Sequence, residues 1–162
     1  MAFVAPLLFV FIFGIIEIGR IYWVQNTLRN ACQDGVRHGA VRGVEAEDVI
    51  NLVRERLLGS INPDVCDIIV RDAAVYDTTG PYPHEEHISD GFASLPQFND
   101  DNPLSEQEPG SMIVVRAEVF YEEVTYLPLG TLSNIISAVS GAPPQTIFEG
   151  MTFSSYAFAR HE

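Results

Sequence analysis

The 162-residue chain contains no lysine and only two cysteines. The absence of lysine excludes Schiff-base catalysis and the phosphate-binding P-loop, which both depend on that side chain. Acidic side chains outnumber basic ones by 22 to 9, which gives a formal net charge of −13. Because an acidic surface repels phosphate backbones, we expect no binding to nucleic acid.

The chain begins with a long apolar run, MAFVAPLLFVFIFGIIEIGRIYWV, in which Glu17 and Arg20 are the only charged residues. These two lie three residues apart on a helix and are able to form an ion pair. No basic region precedes the run and no small-x-small motif closes it, so a cleaved signal peptide fits poorly. A buried helix of a soluble protein is disfavoured because the run has no polar face. Residues 1–24 are therefore predicted to form a membrane helix that is retained in the working protein.

The same helix is predicted to continue through residues 25–44, where proline is absent and apolar residues recur at spacings of three and four. This gives one helix of about 40 residues and roughly 60 Å. The remaining residues, 45–162, suffice for one small domain.

The downstream elements are predicted from apolar periodicity and from glycine and proline positions. They are a helix over 45–58, strands over 65–76, 111–126 and 146–161, a short helix over 127–140, and a long irregular loop over 78–110. The predicted fold class is α+β, with a small antiparallel sheet of about three strands packed on the outer half of the long helix.

The orientation signals conflict. Arginines at 29, 37 and 42 favour a cytoplasmic location for the segment after the membrane helix. The two cysteines, the acidic loop and the β-rich carboxy-terminal half favour an extracytoplasmic domain.

The amino-terminal segment resembles the signature of TadE-like proteins, which are pseudopilins or minor pilins of tight-adherence (Tad) secretion systems. The positions that match the pattern are Pro6, Gly14, Glu17, Gly19, Arg20, Gln25, Leu28, Ala31, Gly35 and Arg37. The resemblance implies a non-enzymatic pilin-like subunit of a Tad-type pilus or secretion apparatus. It also implies a single pass through the bacterial inner membrane, an extracytoplasmic carboxy-terminal domain and incorporation into a surface filament.

This resemblance also identifies the expected partners, which are the membrane and other pilin-like subunits in a homo- or hetero-oligomer. Five residues are expected to mediate helix packing during assembly: Pro6, Gly14, Glu17, Gly19 and Arg20. Type IV prepilins carry a basic leader that ends in glycine, and this sequence begins after the corresponding position. We expect an upstream leader, whose charge would also place the carboxy-terminal domain outside.

Other candidate sites leave alternatives open. Cys32 and Cys66 form either a disulfide, which in an exported domain adds roughly 3 to 4 kcal/mol, or two buried free thiols. His84, His87 and Asp90 are weak candidates for a metal site, because they lie in a proline-rich loop and lack the spacing of a zinc-binding helix.

The acidic residues of loop 78–110 are also weak candidates for calcium, and a solvated acidic loop is the favoured interpretation. No cofactor is predicted. No catalytic residues are predicted either, since no nucleophile pattern has an accompanying signature. The alternative function is a single-pass, membrane-anchored extracytoplasmic binding module that forms no fibre.

Overall fold

The structure is a computed structural model that describes residues 4–74, 92–125, 137 and 150–161. Its helices and strands are, in chain order, α1 (Val4–Gly39), α2 (Ala46–Leu57), β1 (Cys66–Asp72), β2 (Met112–Phe120), α3 (Tyr121–Val124) and β3 (Thr152–Arg160). A long helix thus packs with a three-stranded antiparallel sheet, which confirms the predicted α+β class.

Helix α1 runs without interruption for 36 residues, as the sequence predicts. Pro6 falls in its first turns, where a missing N–H group costs least. Within the described residues, no helix is both long enough and apolar enough to cross a membrane. The prediction that residues 1–24 span a membrane is not supported by this result.

From Val24 onward, one side of α1 is buried at the spacing of an amphipathic helix. The buried apolar side chains of this stretch are Val24, Leu28, Ala31, Cys32 and Val36. They pack against α2, β2 and β3. We call this folded part the head; it comprises α1 from Val24 together with α2, α3 and the three strands.

Helix α2 lies one residue inside its predicted limits of 45–58. Glu45 caps its amino terminus, and the backbone N–H of Glu45 donates to Asp48 Oδ2 at 3.4 Å. Gly59 follows the helix with a φ of 86°, a left-handed conformation that glycine adopts without strain. Val49, Val53 and Leu57 are fully buried and hold α2 against α1 and the sheet.

The sheet has β2 at its centre, with β1 and β3 as antiparallel neighbours. Ala117 lies opposite Ile68 on β1 and Ser155 on β3. Since side chains alternate between faces, one face of the sheet supplies the main core beneath α1. The members of the core on the three strands include Ile68, Val70, Ile113, Val115, Ala117, Val119, Phe153 and Ala157.

The opposite face of the sheet carries a second, smaller apolar cluster, which the sequence analysis did not predict. Its buried members are Ala73, Phe92, Leu95, Met112 and Val114. Phe92 and Leu95 come from the carboxy-terminal part of the predicted loop 78–110. That part also forms two 3₁₀ turns, Phe92–Ser94 and Leu104–Glu106. The described part of this irregular loop, residues 92–110, thus contributes apolar side chains that cover a sheet face.

The second strand is shorter than the predicted 111–126. It ends at Phe120, and Tyr121–Val124 turn into the short helix α3. The first and third strands also lie inside their predicted limits. The predicted helix over 127–140 falls outside the described residues except for Ser137, which is helical.

Cys32 and Cys66 are both buried in the head, with free thiols in this structure. Cys32 Sγ donates to the carbonyl of Ser155 at 3.4 Å, and Cys66 Sγ donates to the carbonyl of Asn62 at 3.6 Å. Burial raises the pKa of Cys32 to about 12 and the pKa of Cys66 to about 11.

These pKa values predict that both thiols resist alkylation in the folded protein. At pH 8 the thiolate fraction of Cys32 is roughly a thousandfold below that of an unfolded cysteine, and the thiolate is the reactive form. We expect iodoacetamide to modify neither cysteine of the native protein within minutes and both in denaturant. As pH rises above about 9, the unfolded thiols ionise before the folded ones, so the head should lose stability between pH 9 and pH 12. Denatured protein that shows no free thiol would contradict this prediction and support the disulfide.

Candidate assembly surface

The first part of α1 projects an apolar surface that the head does not cover. We call residues 8–16 the stem; all of its described side chains are exposed. Ten of the fourteen large apolar side chains exposed in the described residues lie between 8 and 23. They are Leu8, Phe9, Phe11, Ile12, Phe13, Ile15, Ile16, Ile18, Tyr22 and Trp23. A contiguous apolar surface of this kind marks a site of interaction.

Glu17 directly follows the stem and is the first buried residue of α1 in the described part of the chain. Its side chain is 6% exposed. Tyr121 Oη donates to Glu17 Oε1 at 3.0 Å, and Thr125 Oγ1 donates to the same oxygen. A buried carboxylate is costly unless it is hydrogen-bonded, so these two hydroxyl groups offset part of that cost. They also fix α3 against the helix.

Tyr121 is a buried hydrogen-bond donor in this arrangement. Burial raises its pKa, and the neighbouring Glu17 carboxylate raises it further. The phenol therefore remains protonated, which keeps its O–H available to Glu17. Its ring packs edge-on against Phe153 of β3, with the centroids 5.8 Å apart. Tyr121 thus ties the carboxylate to the core of the head.

Arg20 contacts the same short helix from the next turn of α1. Its Nε donates to the carbonyl oxygen of Val124 at 3.0 Å, and its guanidinium lies 5.0 Å from the Trp23 ring centroid. Glu17 and Arg20, which the sequence predicts as a pair, thus both contact α3. We call Glu17, Arg20, Tyr121, Val124 and Thr125 the junction. The ion pair between Glu17 and Arg20 stays a prediction.

The glycines of α1 fall into two classes. At Gly35 an added Cβ would lie 2.4 Å from Val53 Cγ2, and at Gly39 it would lie 3.0 Å from Ile113 Cδ1. These two glycines let α2 and β2 approach α1 closely. At Gly14 and Gly19 an added Cβ meets nothing within 4 Å. The packing of a single copy therefore does not account for glycine at either of those positions.

The remaining candidate residues are those of the weak metal site and Pro6. His84, His87 and Asp90 lie outside the described residues. Across the described ranges, no group of three or more histidine, cysteine, aspartate or glutamate side chains is arranged to hold a metal ion. Pro6 lies in α1, as stated above, and its role in assembly stays a prediction.

Sequence reasoning did not identify Tyr121 and Thr125, which hold Glu17. The available signal was the spacing of the two hydroxyl residues, four apart, directly after an alternating strand. That spacing places both on one face of a helical turn. Their partner, however, lies 104 and 108 residues away along the chain, so local periodicity does not identify it.

The amino-terminal part of the chain matches a known protein family. A family model described as TadE-like protein matches residues 1–37, which confirms the resemblance seen in the sequence over that stretch. The matched residues contain the stem, Glu17 and Arg20, and most of the α1 residues that are buried in the head. The match associates this segment with the TadE-like family. No curated protein and no solved structure matches the chain.

Proposed function

We propose that this chain is a non-enzymatic, pilin-like subunit of a Tad-type pilus or secretion apparatus, and that it assembles through α1. One observation carries the proposal: a folded head bears an apolar helical stem that its own fold leaves uncovered. The family match to residues 1–37 supports it, since the matched segment includes the stem.

The size of the exposed surface argues for an assembling role. Burial of one Ile, Leu or Phe side chain contributes about 1.5 to 3 kcal/mol. Phe11, Ile15 and Ile18 are 62%, 70% and 68% exposed, so most of this contribution remains available to a partner. Several such side chains on one helix are enough to drive association of the subunits.

The partner surface that best fits the stem is another helix of the same kind. Gly14 and Gly19 have open space where a side chain would start, which permits close approach of a second backbone. Leu8, Ile12 and Ile15 follow the three- and four-residue spacing of a helix contact, and the same spacing occurs in neighbouring copies. We therefore propose homo- or hetero-oligomers of pilin-like subunits with their stems packed together.

The junction has a positioning role in this proposal. Glu17 and Arg20 hold α3 on α1 at the point where the stem emerges, so α3 keeps a fixed position beside the stem. A fixed angle between stem and head is needed if successive copies are to repeat the same contacts. The placement of the head outside the cytoplasm, at the cell surface, remains part of the proposal.

Cysteine scanning of the stem tests this function. Single cysteines introduced at residues 8 to 16 should cross-link neighbouring subunits with yields that peak every three to four positions, because only one face of each helix meets its neighbour. The native Cys32 and Cys66 are buried and should form no cross-links.

Exposed positions on the outer half of α1, such as Asn26 and Asn30, serve as controls and should cross-link weakly. Yields that are low throughout the stem would contradict assembly through α1. They would favour the alternative, a binding module that forms no fibre.

A further inference from the structure

A groove runs between the outer half of α1 and β3, on the side of the head away from β1. One part of it encloses about 370 Å³ and the adjoining part about 300 Å³. The helical wall is lined by Val36 and by four polar α1 side chains spaced four residues apart, Gln25, Arg29, Gln33 and Arg37. Residues 154–158 of β3 line the other wall.

The groove is basic although the protein as a whole is acidic. Arg29 and Arg37 are exposed and lie eight residues apart on the helix, a rise of about 12 Å. Among the described residues that line the groove, none is acidic. In a chain of net charge −13, such a surface favours an anionic partner.

The other edge of the head presents a compact acidic turn. Gln97 bridges to Arg71 of β1, which places the segment after it at the edge of the sheet opposite β3. The turn Asn99–Asn102 follows, with Asp100 and Asp101 exposed at its tip. Asn99 Oδ1 accepts hydrogen bonds from the backbone N–H groups of Asp101 and Asn102, each at 3.0 Å. The two carboxylates are therefore presented on a turn that is already ordered.

We propose that the acidic turn at Asp100 and Asp101 of one copy docks into the Arg29 and Arg37 groove of a second copy. The charges of the two surfaces are complementary, and the surfaces lie on opposite edges of the same sheet. A contact between two different surfaces of identical chains is heterologous, so each copy leaves one groove and one turn open for the next. Such a contact propagates in one direction.

This inference rests on the proposed function and adds to it a contact between heads. The stem supplies most of the apolar burial, while the charged contact sets the order and spacing of neighbouring heads. Because the contact is exposed and ionic, it should weaken as salt is raised.

The test uses two full-length variants, Gln33→Cys in the groove and Gln97→Cys just before the turn, which are both exposed and leave every proposed charge in place. Under assembling conditions, a mixture of the two should form a mixed disulfide dimer, whereas each variant alone should not. Adding Arg37→Glu to the first variant should lower the yield at least fivefold. Arg54→Glu, an exposed substitution on α2 with the same change in charge, is the matched control and should leave the yield unchanged.

Charge exchange completes the experiment. Arg37→Asp in the groove variant combined with Asp101→Arg in the turn variant should restore at least half of the original yield. If the stem cysteines cross-link in a helical pattern but the mixed dimer is absent, the head contact is wrong and the proposed function stands. If both are absent, the function itself fails. A mixed dimer that is indifferent to Arg37→Glu and to salt would also overturn the charged contact.

Discussion

Asparagine in place of Ile15 should weaken assembly about ten- to a hundredfold while leaving the head folded. Ile15 is 70% exposed and makes little contact with the head, so its apolar surface is available only to a partner. The burial of this side chain at a contact contributes about 1.5 to 3 kcal/mol to the free energy of association, and its loss accounts for the size of the effect. Sedimentation of the full chain across a range of concentrations measures the change in association.

Leu58→Asn is the matched control for this experiment. Leu58 is 63% exposed, a fraction similar to that of Ile15, but it lies on the head at the end of α2. Its replacement should leave association within about twofold of the original protein. Equal effects of the two substitutions would show that assembly responds to general hydrophobicity and not to the stem.

Alanine at Gly35 should destabilise the head by about 1 to 2 kcal/mol, which is the second large effect. The new Cβ would lie 2.4 Å from Val53 Cγ2, and Val49 and Val115 are within 3.7 Å on the same side. Val53 is fully buried and its β-branched side chain has little rotational freedom, so α2 must move away from α1. The overpacking cost of about 1 to 3 kcal/mol exceeds the gain of up to about 1 kcal/mol in helix propensity.

Gly19→Ala provides the comparison on the same helix. An added Cβ there meets nothing within 4 Å, so only the gain in helix propensity remains. Thermal unfolding should show a transition several degrees lower for Gly35→Ala and one that is unchanged or higher for Gly19→Ala. If both variants melt like the original chain, α2 does not pack on α1 as the structure has it.

Much of the fold follows from local patterns in the sequence. The three- and four-residue spacing from Val24 to Val36 identifies the buried face of α1, and the acidic first turn of α2 marks its start. Strand β2 alternates clearly enough to be assigned from its sequence. These elements are predictable because each one buries a face with its own regular period.

The features that were missed depend on distant contacts. Residues 121–124 were included in the predicted strand, yet they form α3, from which the Tyr121 hydroxyl donates to Glu17. Phe92 and Leu95 show no period, and only the exposed second face of the sheet explains their burial. Charge composition likewise gave no indication that an acidic turn and a basic groove lie on opposite edges of one sheet.

The single tryptophan of the chain allows the central claim to be tested without a label. Trp23 is 41% exposed on α1, next to the apolar surface that we expect to be covered during assembly. In assembled protein its emission should shift to shorter wavelength and its quenching by acrylamide should fall severalfold relative to the dispersed chain. Assemblies in which Trp23 remains as open to quencher as in single copies would contradict assembly through α1.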